Sequence, residues 1–413
     1  KGKDGNPPSN YRSYFGGSAW EKVEGTDYYY LHMFAKEQPD LNWECKELRQ
    51  KIYEMINWWL EKGIAGFRID AITFIKKDLS FASRPTNDGE LYPVEKLTDY
   101  KGIGTFLDEM KEQCFDKYNC MTMAEAPGVD DAAFERYAGK NGYFSMIFDF
   151  GWENMEGEND KSSIHAVERW KKKMFTHVAH NSGIGWSAIF LENHDQSRCL
   201  NKFLERENIS FYSASALASI YFFLYGTPFI YQGQEIGMTN VKWKNINDMD
   251  DIRAKRTYEE AVGQGKDPEE VLAYFSELGR DNARTPMQWD DSENGGFTCG
   301  KPWIKCNDNY RTINVQSEVN DPDSLYNYYK RLIQCYHDHA DIVRQAEFRP
   351  MYEEYPGLFA YEREGDGKGL LVIVNFTNEK LMFQKIDQKC VLCNYHETES
   401  EWLQPYEARI YSK

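Results

Sequence analysis

The sequence contains no long apolar run and has little positive charge relative to negative charge. A membrane-spanning helix needs about 18–20 consecutive apolar residues, and no such stretch occurs in the chain of 413 residues. Lysine and arginine together number 49, against 66 aspartate and glutamate residues, so the formal net charge is −17 at pH 7. Such a charge repels the phosphates of nucleic acids. The sequence therefore predicts neither a membrane protein nor a partner of nucleic acids.

The nine cysteines are odd in number and scattered along the chain. Disulfide frameworks use even numbers of cysteines, so this pattern favours reduced thiols and a cytoplasmic location. Cys390 and Cys393 are close in sequence, but neither a second pair nor nearby histidines complete a zinc ligand set. We therefore expect no metal and no other cofactor, and interpret the pair as two strand residues.

Helical and strand patterns alternate through the middle of the chain. Residues 45–61 carry apolar side chains at helical spacing, Gly63 ends that helix, and residues 64–69 follow as a buried strand. This alternation predicts parallel βα units and an α/β fold. About five strands are visible where a (β/α)8 TIM barrel has eight. Either the other strands lie outside this chain or the fold is not a barrel. The further elements predicted are helices near 102–118, 162–180 and 212–225, and strands over 120–124, 143–148, 186–191 and 229–232.

The two ends of the chain follow other patterns. Residues 1–18 are rich in glycine and proline and predict a loop. A charged insertion near 240–320 precedes an amphipathic helix near 324–338. From residue 343 to residue 413, short β-type runs separated by turn residues predict a C-terminal antiparallel β domain. Those runs are 358–362, 369–375, 381–386, 390–395 and 408–411.

Three acidic residues follow apolar, strand-like segments: Asp70, Glu125 and Asp195. Carboxyl ends of parallel strands lie at one face of a barrel, and glycosidic cleavage needs one carboxyl group to attack and another to donate a proton. Arg68 lies two residues before Asp70, so both side chains face the same side of the strand. Small neighbours of Glu125 favour the protonated form that a general acid requires. Taken singly, each residue could instead form a structural ion pair or cap a loop.

Five segments together resemble the α-amylase superfamily, glycoside hydrolase family 13, and within it the oligo-1,6-glucosidase/α-glucosidase branch. The segments are residues 66–70, 124–128, 192–195, 231–238 and 279–290. The resemblance extends over essentially the whole chain, and the segment 279–290 is specific to the oligo-1,6-glucosidase/α-glucosidase branch.

This resemblance implies a role for each predicted site residue. Asp70 would be the nucleophile, Glu125 the general acid/base and Asp195 the stabiliser of the transition state. Arg68 and His194 would bind sugar hydroxyls and orient the nucleophile. The residues that would close or line the pocket around the terminal glucose are Arg280, Arg284, Phe15, Phe34 and Gln38. The alternative for both phenylalanines is local packing within a long loop.

The resemblance further implies a retaining, exo-acting α-glucosidase that acts on small oligosaccharides. Residues 1–42 would be the tail of a loop domain inserted after the third barrel strand, residues 43–342 strands four to eight, and residues 343–413 the β domain. The family's earlier strands, and a calcium site where one exists, would lie in an N-terminal segment outside this chain, which could be a separate piece. Ala71 occupies the position where valine accompanies α-1,6 preference, which favours α-1,4 or mixed activity.

Three other functions fit the same sequence less well. A trehalose-6-phosphate hydrolase would need a basic pocket for the phosphate. A sucrose isomerase would carry an arginine-rich loop after the third carboxylate, where this chain has residues 196–200. A non-catalytic binding protein on the same fold would lack the three carboxylates and carry a membrane helix.

Overall fold

The computed structural model describes residues 2, 4–87, 90–98, 102–148, 150–152, 155, 160–397 and 401–413. The chain divides into two compact units. The first comprises residues 1–148 with 252–266, and the second comprises residues 149–251 with 267–413. The predicted β domain lies within the second unit, whereas the predicted barrel segment is shared between the two. The predicted domain boundaries stay a prediction.

Helices and short strands alternate through the middle of the chain, whereas strands follow one another at its two ends. The strands are β1 (Tyr11–Arg12), β2 (Trp20–Lys22), β3 (Tyr29–Leu31), β4 (Gly66–Ile69), β5 (Tyr92–Pro93), β6 (Met121–Ala124), β7 (Met146–Phe148), β8 (Ser187–Ile189), β9 (Thr227–Pro228), β10 (Glu347–Pro350), β11 (Leu358–Gly365), β12 (Lys368–Asn375), β13 (Leu381–Met382), β14 (Lys389–Cys393), β15 (Trp402–Leu403) and β16 (Ala408–Ser412). The helices are α1 (Lys46–Glu61), α2 (Gly104–Met110), α3 (Asp116–Tyr118), α4 (Asp131–Ala138), α5 (Ile164–Asn181), α6 (Cys199–Phe203), α7 (Phe211–Phe222), α8 (Ile252–Gly263), α9 (Pro268–Leu278), α10 (Val315–Val319), α11 (Leu325–Asp338) and α12 (Ala340–Gln345).

In the first unit, β4, β6 and β7 form a parallel sheet. Helix α1 lays Tyr53, Ile56 and Leu60 into a core shared with α2 and α4. The backbone N–H of Gly63 donates to Leu60 O at 2.9 Å, and a φ of 91° there lets the chain leave the helix as predicted. The chain thus passes from α1 into β4, and Asp70 directly follows the carboxyl end of that strand.

In the second unit, β8 and β9 pair in parallel, and the C-terminal strands form an antiparallel sheet in the order β10-β11-β12-β16-β14. Helices α5, α7 and α11 contribute to one aromatic core with that sheet, including Trp170, Tyr221, Tyr328 and Phe359. Hydroxyl caps begin these helices; Ser210, for example, exchanges hydrogen bonds with Ser213 in a capping box at the start of α7. The predicted antiparallel β domain is therefore confirmed.

The prediction of a buried strand over residues 64–69 is wrong in extent and in burial. Strand β4 begins at Gly66, and its residues are half-buried or exposed. A Cβ at Gly66 would lie 1.7 Å from Met121 O. The strand pair is therefore tight at its start, and glycine is the residue that permits it.

Two further predictions about strands need correction. The strand expected over residues 229–232 lies earlier in the chain, as β9, because the ladder already starts at Thr227, within a Gly-Thr-Pro segment whose composition is typical of a turn. Phe229 N still donates to Ile189 O at 2.7 Å before the chain turns away. The N-terminal loop contains β1, which pairs with β5 some eighty residues later, a distance at which local patterns carry no signal.

In the C-terminal domain, the strand predicted over residues 381–386 is only the two residues of β13, and β10 and β15 were not predicted. The helices expected near 102–118, 162–180, 212–225 and 324–338 are confirmed, the first with a π-helical stretch over Lys111–Phe115.

Candidate active site

The predicted site residues fall into two groups, one in each unit. In the first unit, Ile69 and Ala124 are paired in register, so Asp70 and Glu125 follow adjacent strand ends. Arg68 bridges them: one guanidinium nitrogen donates to Asp70 Oδ1, and Nη2 donates to Glu125 Oε2 at 2.8 Å. The prediction that Arg68 and Asp70 share a side of the strand is confirmed. The strand register and one guanidinium therefore hold together the two side chains that the resemblance predicts as nucleophile and general acid.

The two carboxyl groups differ in environment. The Asp70 side chain is 69% exposed and the Glu125 side chain 19% exposed. Burial, together with the neighbouring Asp70, raises the pKa of Glu125, although Arg68 and the Ala71 N–H oppose that shift. A carboxyl group with a raised pKa suits a general acid, while an acidic side chain that is exposed is open to attack a substrate.

Aromatic side chains pack onto the turn that follows Asp70. The ring centroids of Phe15 and Phe34 lie 5.4 Å apart, and those of Phe34 and Phe74 lie 6.1 Å apart. Phe74 ends a 3-10 turn over Ile72–Phe74, which starts two residues after the predicted nucleophile. Both predicted wall residues are thus linked to the strand end through Phe74. Gln38 is exposed, and its Oε1 accepts from Ala35 N at 3.2 Å.

In the second unit, Asp195 has basic side chains around it. Asp195 Oδ2 lies 3.1 Å from His194 Nε2, and Oδ1 accepts from Arg280 Nη1 at 2.9 Å and Arg284 Nη2 at 2.5 Å. Burial raises the pKa of Asp195, but the hydrogen bond and charge of His194 and the charges of both arginines outweigh it and hold that pKa below its usual range. Asp195 is thus kept as a carboxylate, the form that can stabilise a positive transition state.

The segment with both arginines is a 3-10 turn over Arg280–Arg284. Asn282, which is fully buried, anchors this turn: its Oδ1 accepts from Val241 N at 2.9 Å, and its Nδ2 donates to Gly279 O at 2.8 Å. Arg280 and Arg284 therefore project from a fixed turn. The sequence indicated both arginines as site residues but gave no sign of the roles of Asn282 and its neighbour Asp281, although both lie within the segment 279–290.

Glu192, at the start of the segment that contains His194 and Asp195, has a structural role. It is buried against Arg198, with Oε1 3.0 Å from Nη1, and its Oε2 accepts from Cys199 N at 2.5 Å. Arg198 also donates to Gln232 O at 2.7 Å. This buried ion pair holds the two ends of the Glu192–Arg198 segment together. Glu192 is therefore not one of the predicted catalytic carboxylates.

A family model described as the alpha amylase catalytic domain matches residues 1–346. The chain is 41% identical to the probable oligo-1,6-glucosidase 3 of Bacillus subtilis (strain 168), covering 99% of this chain and 76% of the relative. Among solved structures it is similar to the trehalose-6-phosphate hydrolase of Bacillus licheniformis, with a TM-score of 0.83 at 35% identity, covering 98% of this chain and 75% of that one. It is also similar to the trehalulose synthase of Pseudomonas mesoacidophila MX-45, with a TM-score of 0.89 at 35% identity, covering 100% and 76%.

Strand-end carboxylates linked by a guanidinium, on a fold shared with these proteins, define a glycoside hydrolase. The chain belongs to the alpha-amylase family, glycoside hydrolase family 13, as the resemblance predicted. Its fold class is that of the family's TIM-barrel catalytic domain, followed by an antiparallel β domain, and its relatives indicate an α-glucosidase.

The part of the chain that the structure describes contains neither a candidate membrane helix nor a candidate metal cluster. No helix there combines the length and apolar character needed to cross a membrane. In the same part of the chain, no cluster of three or more His, Cys, Asp or Glu side chains could hold a metal ion. Cys393 lies beside Glu407 on the C-terminal sheet, and burial raises the pKa of its thiol to about 12.

Proposed function

We propose that the protein is a retaining, exo-acting α-glucosidase that releases α-glucose from the non-reducing end of short α-glucosides such as maltose and isomaltose. The observation that carries this proposal is the Arg68 guanidinium, which binds Asp70 and Glu125 together at adjacent strand ends. The raised pKa of Glu125 supports its role as the general acid, because a proton donor needs a higher pKa than the exposed Asp70 that would attack the sugar. Relatives at about 40% identity bear the name oligo-1,6-glucosidase.

The reaction proceeds in two displacements. Glu125 donates its proton to the glycosidic oxygen as the bond to C1 breaks, while Asp70 attacks C1 and forms a glucosyl ester. Glu125, now ionised, takes a proton from water, whose oxygen attacks C1 and releases α-glucose and the Asp70 carboxylate. Asp195 stabilises the positive charge that develops on the sugar ring in both steps.

The alkaline limb of the pH profile should report Glu125. The first step needs the Glu125 proton, so kcat/KM falls as the pH rises through the Glu125 pKa. Burial raises that pKa above the usual glutamate value of about 4.3. The charge of Arg68 opposes that shift, so Arg68→Gln should move the alkaline limb to higher pH while lowering kcat. Profiles of maltose hydrolysis would show this. Arg84→Gln, which removes a half-buried arginine paired with Asp78, should leave the limb in place. A limb that moves to lower pH in Arg68→Gln contradicts the assignment.

Hydrolysis of maltose, isomaltose and trehalose 6-phosphate, measured in parallel, tests the proposed function. Glucose released from maltose at least as fast as from isomaltose would support α-1,4 or mixed activity. Release from isomaltose alone would make the protein an oligo-1,6-glucosidase and discard the argument from Ala71. Cleavage of none of the three would overturn the proposal.

Ala71 offers a direct test of linkage preference. Its φ of 43° is left-handed, and its N–H donates to Glu125 Oε2 at 3.2 Å. Ala71→Val should raise the isomaltose-to-maltose ratio of kcat/KM by roughly tenfold or more. Because a β-branched side chain strains this backbone, the melting temperature should also fall. Ala71→Gly, which suits a left-handed φ, should leave the ratio nearly unchanged. A ratio unaffected by valine would remove Ala71 from the specificity argument.

A phosphorylated disaccharide is the second candidate substrate, and one observation favours it. The Arg253 guanidinium lies 5.2 Å from the centroid of the Tyr14 ring, and Tyr14 packs against Phe15 and Phe34. A positive charge thus lies beside the predicted substrate wall in a chain that is otherwise strongly acidic. Preferential cleavage of trehalose 6-phosphate over maltose, lost in Arg253→Gln, would favour this candidate.

A further inference from the structure

Arg280 lies between two carboxylates in the second unit. Its Nη1 donates to Asp195 Oδ1 at 2.9 Å, and its Nη2 donates to Asp251 Oδ1 at 2.6 Å. The Asp251 side chain is 5% exposed and that of Arg280 18% exposed. A largely buried guanidinium with a carboxylate at each of its two terminal nitrogens, Nη1 and Nη2, has its orientation fixed by both. Asp251 is therefore linked to Asp195 through a single side chain.

The backbone around Asp251 is itself held by a buried carboxylate. Asp281, which is fully buried, accepts from Asp250 N at 2.6 Å and from Asp251 N at 2.8 Å through Oδ2. On the other side, Trp303 Nε1 donates to Asp250 Oδ2 at 2.7 Å. Because Asp281 directly follows Arg280 in the chain, one turn supplies the arginine and also anchors the backbone of that arginine's second partner.

We propose that Asp251 is a positioning residue, which holds Arg280 in the orientation that presents its Nη1 to Asp195. This inference rests on the proposed function, in which Asp195 stabilises the transition state. Without the Asp251 charge, the long Arg280 side chain gains other rotamers and the Asp195 carboxylate loses a fixed partner. Since Asp195 acts on the transition state, the loss should appear in kcat more than in KM.

The test is a double-mutant cycle with Asp251→Asn and Arg280→Gln, read as kcat and KM for maltose. Asp251→Asn keeps the shape of the side chain and should lower kcat by on the order of 10²-fold, as a misplaced catalytic group does. Because Asp251 acts through Arg280, the double variant should match Arg280→Gln within about twofold. Losses that multiply in the double variant would overturn the proposal.

A matched control and a structural readout complete the experiment. Asp248→Asn removes the same charge from an exposed residue of the same segment and should leave kcat unchanged. If Asp251→Asn loses no more activity than this control, or only as much as its folded fraction falls by circular dichroism, Asp251 is not a positioning residue. A crystal structure of Asp251→Asn should show Arg280 Nη1 moved away from Asp195 Oδ1. That readout is independent of hydrolysis, so absence of activity in the unmodified protein would overturn the proposed function and leave the positioning role to be decided by the structure.

Discussion

Asp70→Asn is expected to abolish hydrolysis, with kcat lowered by roughly 10⁴- to 10⁶-fold, as for other catalytic residues that act as a unit. An amide of the same size cannot form the glucosyl ester, whereas Arg68 would still hold Glu125 through the 2.8 Å contact from Nη2. The melting temperature should change little, because the Asp70 side chain is 69% exposed. Initial rates on maltose and thermal unfolding of the same preparation would check both expectations.

A control and a chemical rescue separate a nucleophile from a residue that merely binds substrate. Asp27→Asn removes an exposed carboxylate of the first unit and should leave kcat unchanged. Asp70→Gly opens space for a small anion at the same face of C1. Added azide should then restore turnover and give a β-glucosyl azide, the inverted product of direct attack. Residual activity in Asp70→Asn within about tenfold of the unmodified protein would assign the nucleophile elsewhere.

The positions of the candidate catalytic residues were predictable where an acidic residue directly ends an apolar strand. Asp70 and Glu125 follow β4 and β6, and the alternation of side chains along β4 places Arg68 beside Asp70. The pKa of Glu125 is raised in the direction that the sequence indicated, by burial of the side chain and by the neighbouring Asp70. Local pattern thus identified these residues, because local backbone geometry determines where they lie.

The supporting residues were not predictable, because their partners are remote in sequence. Asp251 and Asp281 are thirty residues apart, the first on irregular backbone and the second in a single 3-10 turn, and neither setting has the periodicity of a longer helix or a strand. The left-handed φ of Ala71 likewise has no signal in a residue type that ordinarily avoids it. The shift of β9 toward Thr227 shows the same limit, since turn chemistry and the start of a strand share one tripeptide.

Arg363 should contribute more to stability than any exposed ion pair of the C-terminal sheet. This fully buried arginine lies on β11 and donates to four backbone carbonyls: Val343, Ala346, Phe223 and Leu224. These carbonyls lie at the carboxyl ends of α7 and α12, where the helix dipole is negative and carbonyls lack helical partners. Burial lowers the pKa of Arg363 to about 10, so it remains charged at neutral pH.

Arg363→Met should lower the free energy of unfolding by about 3–5 kcal/mol, because each buried carbonyl left without a donor costs about 1–3 kcal/mol. Urea unfolding of the whole chain, followed by fluorescence of buried Trp170 in the adjoining core, would measure it. Lys368→Met on β12 is the matched control: its ion pair with Asp341 is mostly exposed, so the expected change is within about 1 kcal/mol.

Arg363→Lys keeps the charge but cannot reach four carbonyls with one ammonium group, so its loss of unfolding free energy should lie between those of the other two variants. If Arg363→Lys retains full stability, the positive charge at the two helix ends contributes more to stability than the several N–H donors of the guanidinium. A loss in Arg363→Met no larger than in the control would show that water or repacking satisfies those carbonyls instead.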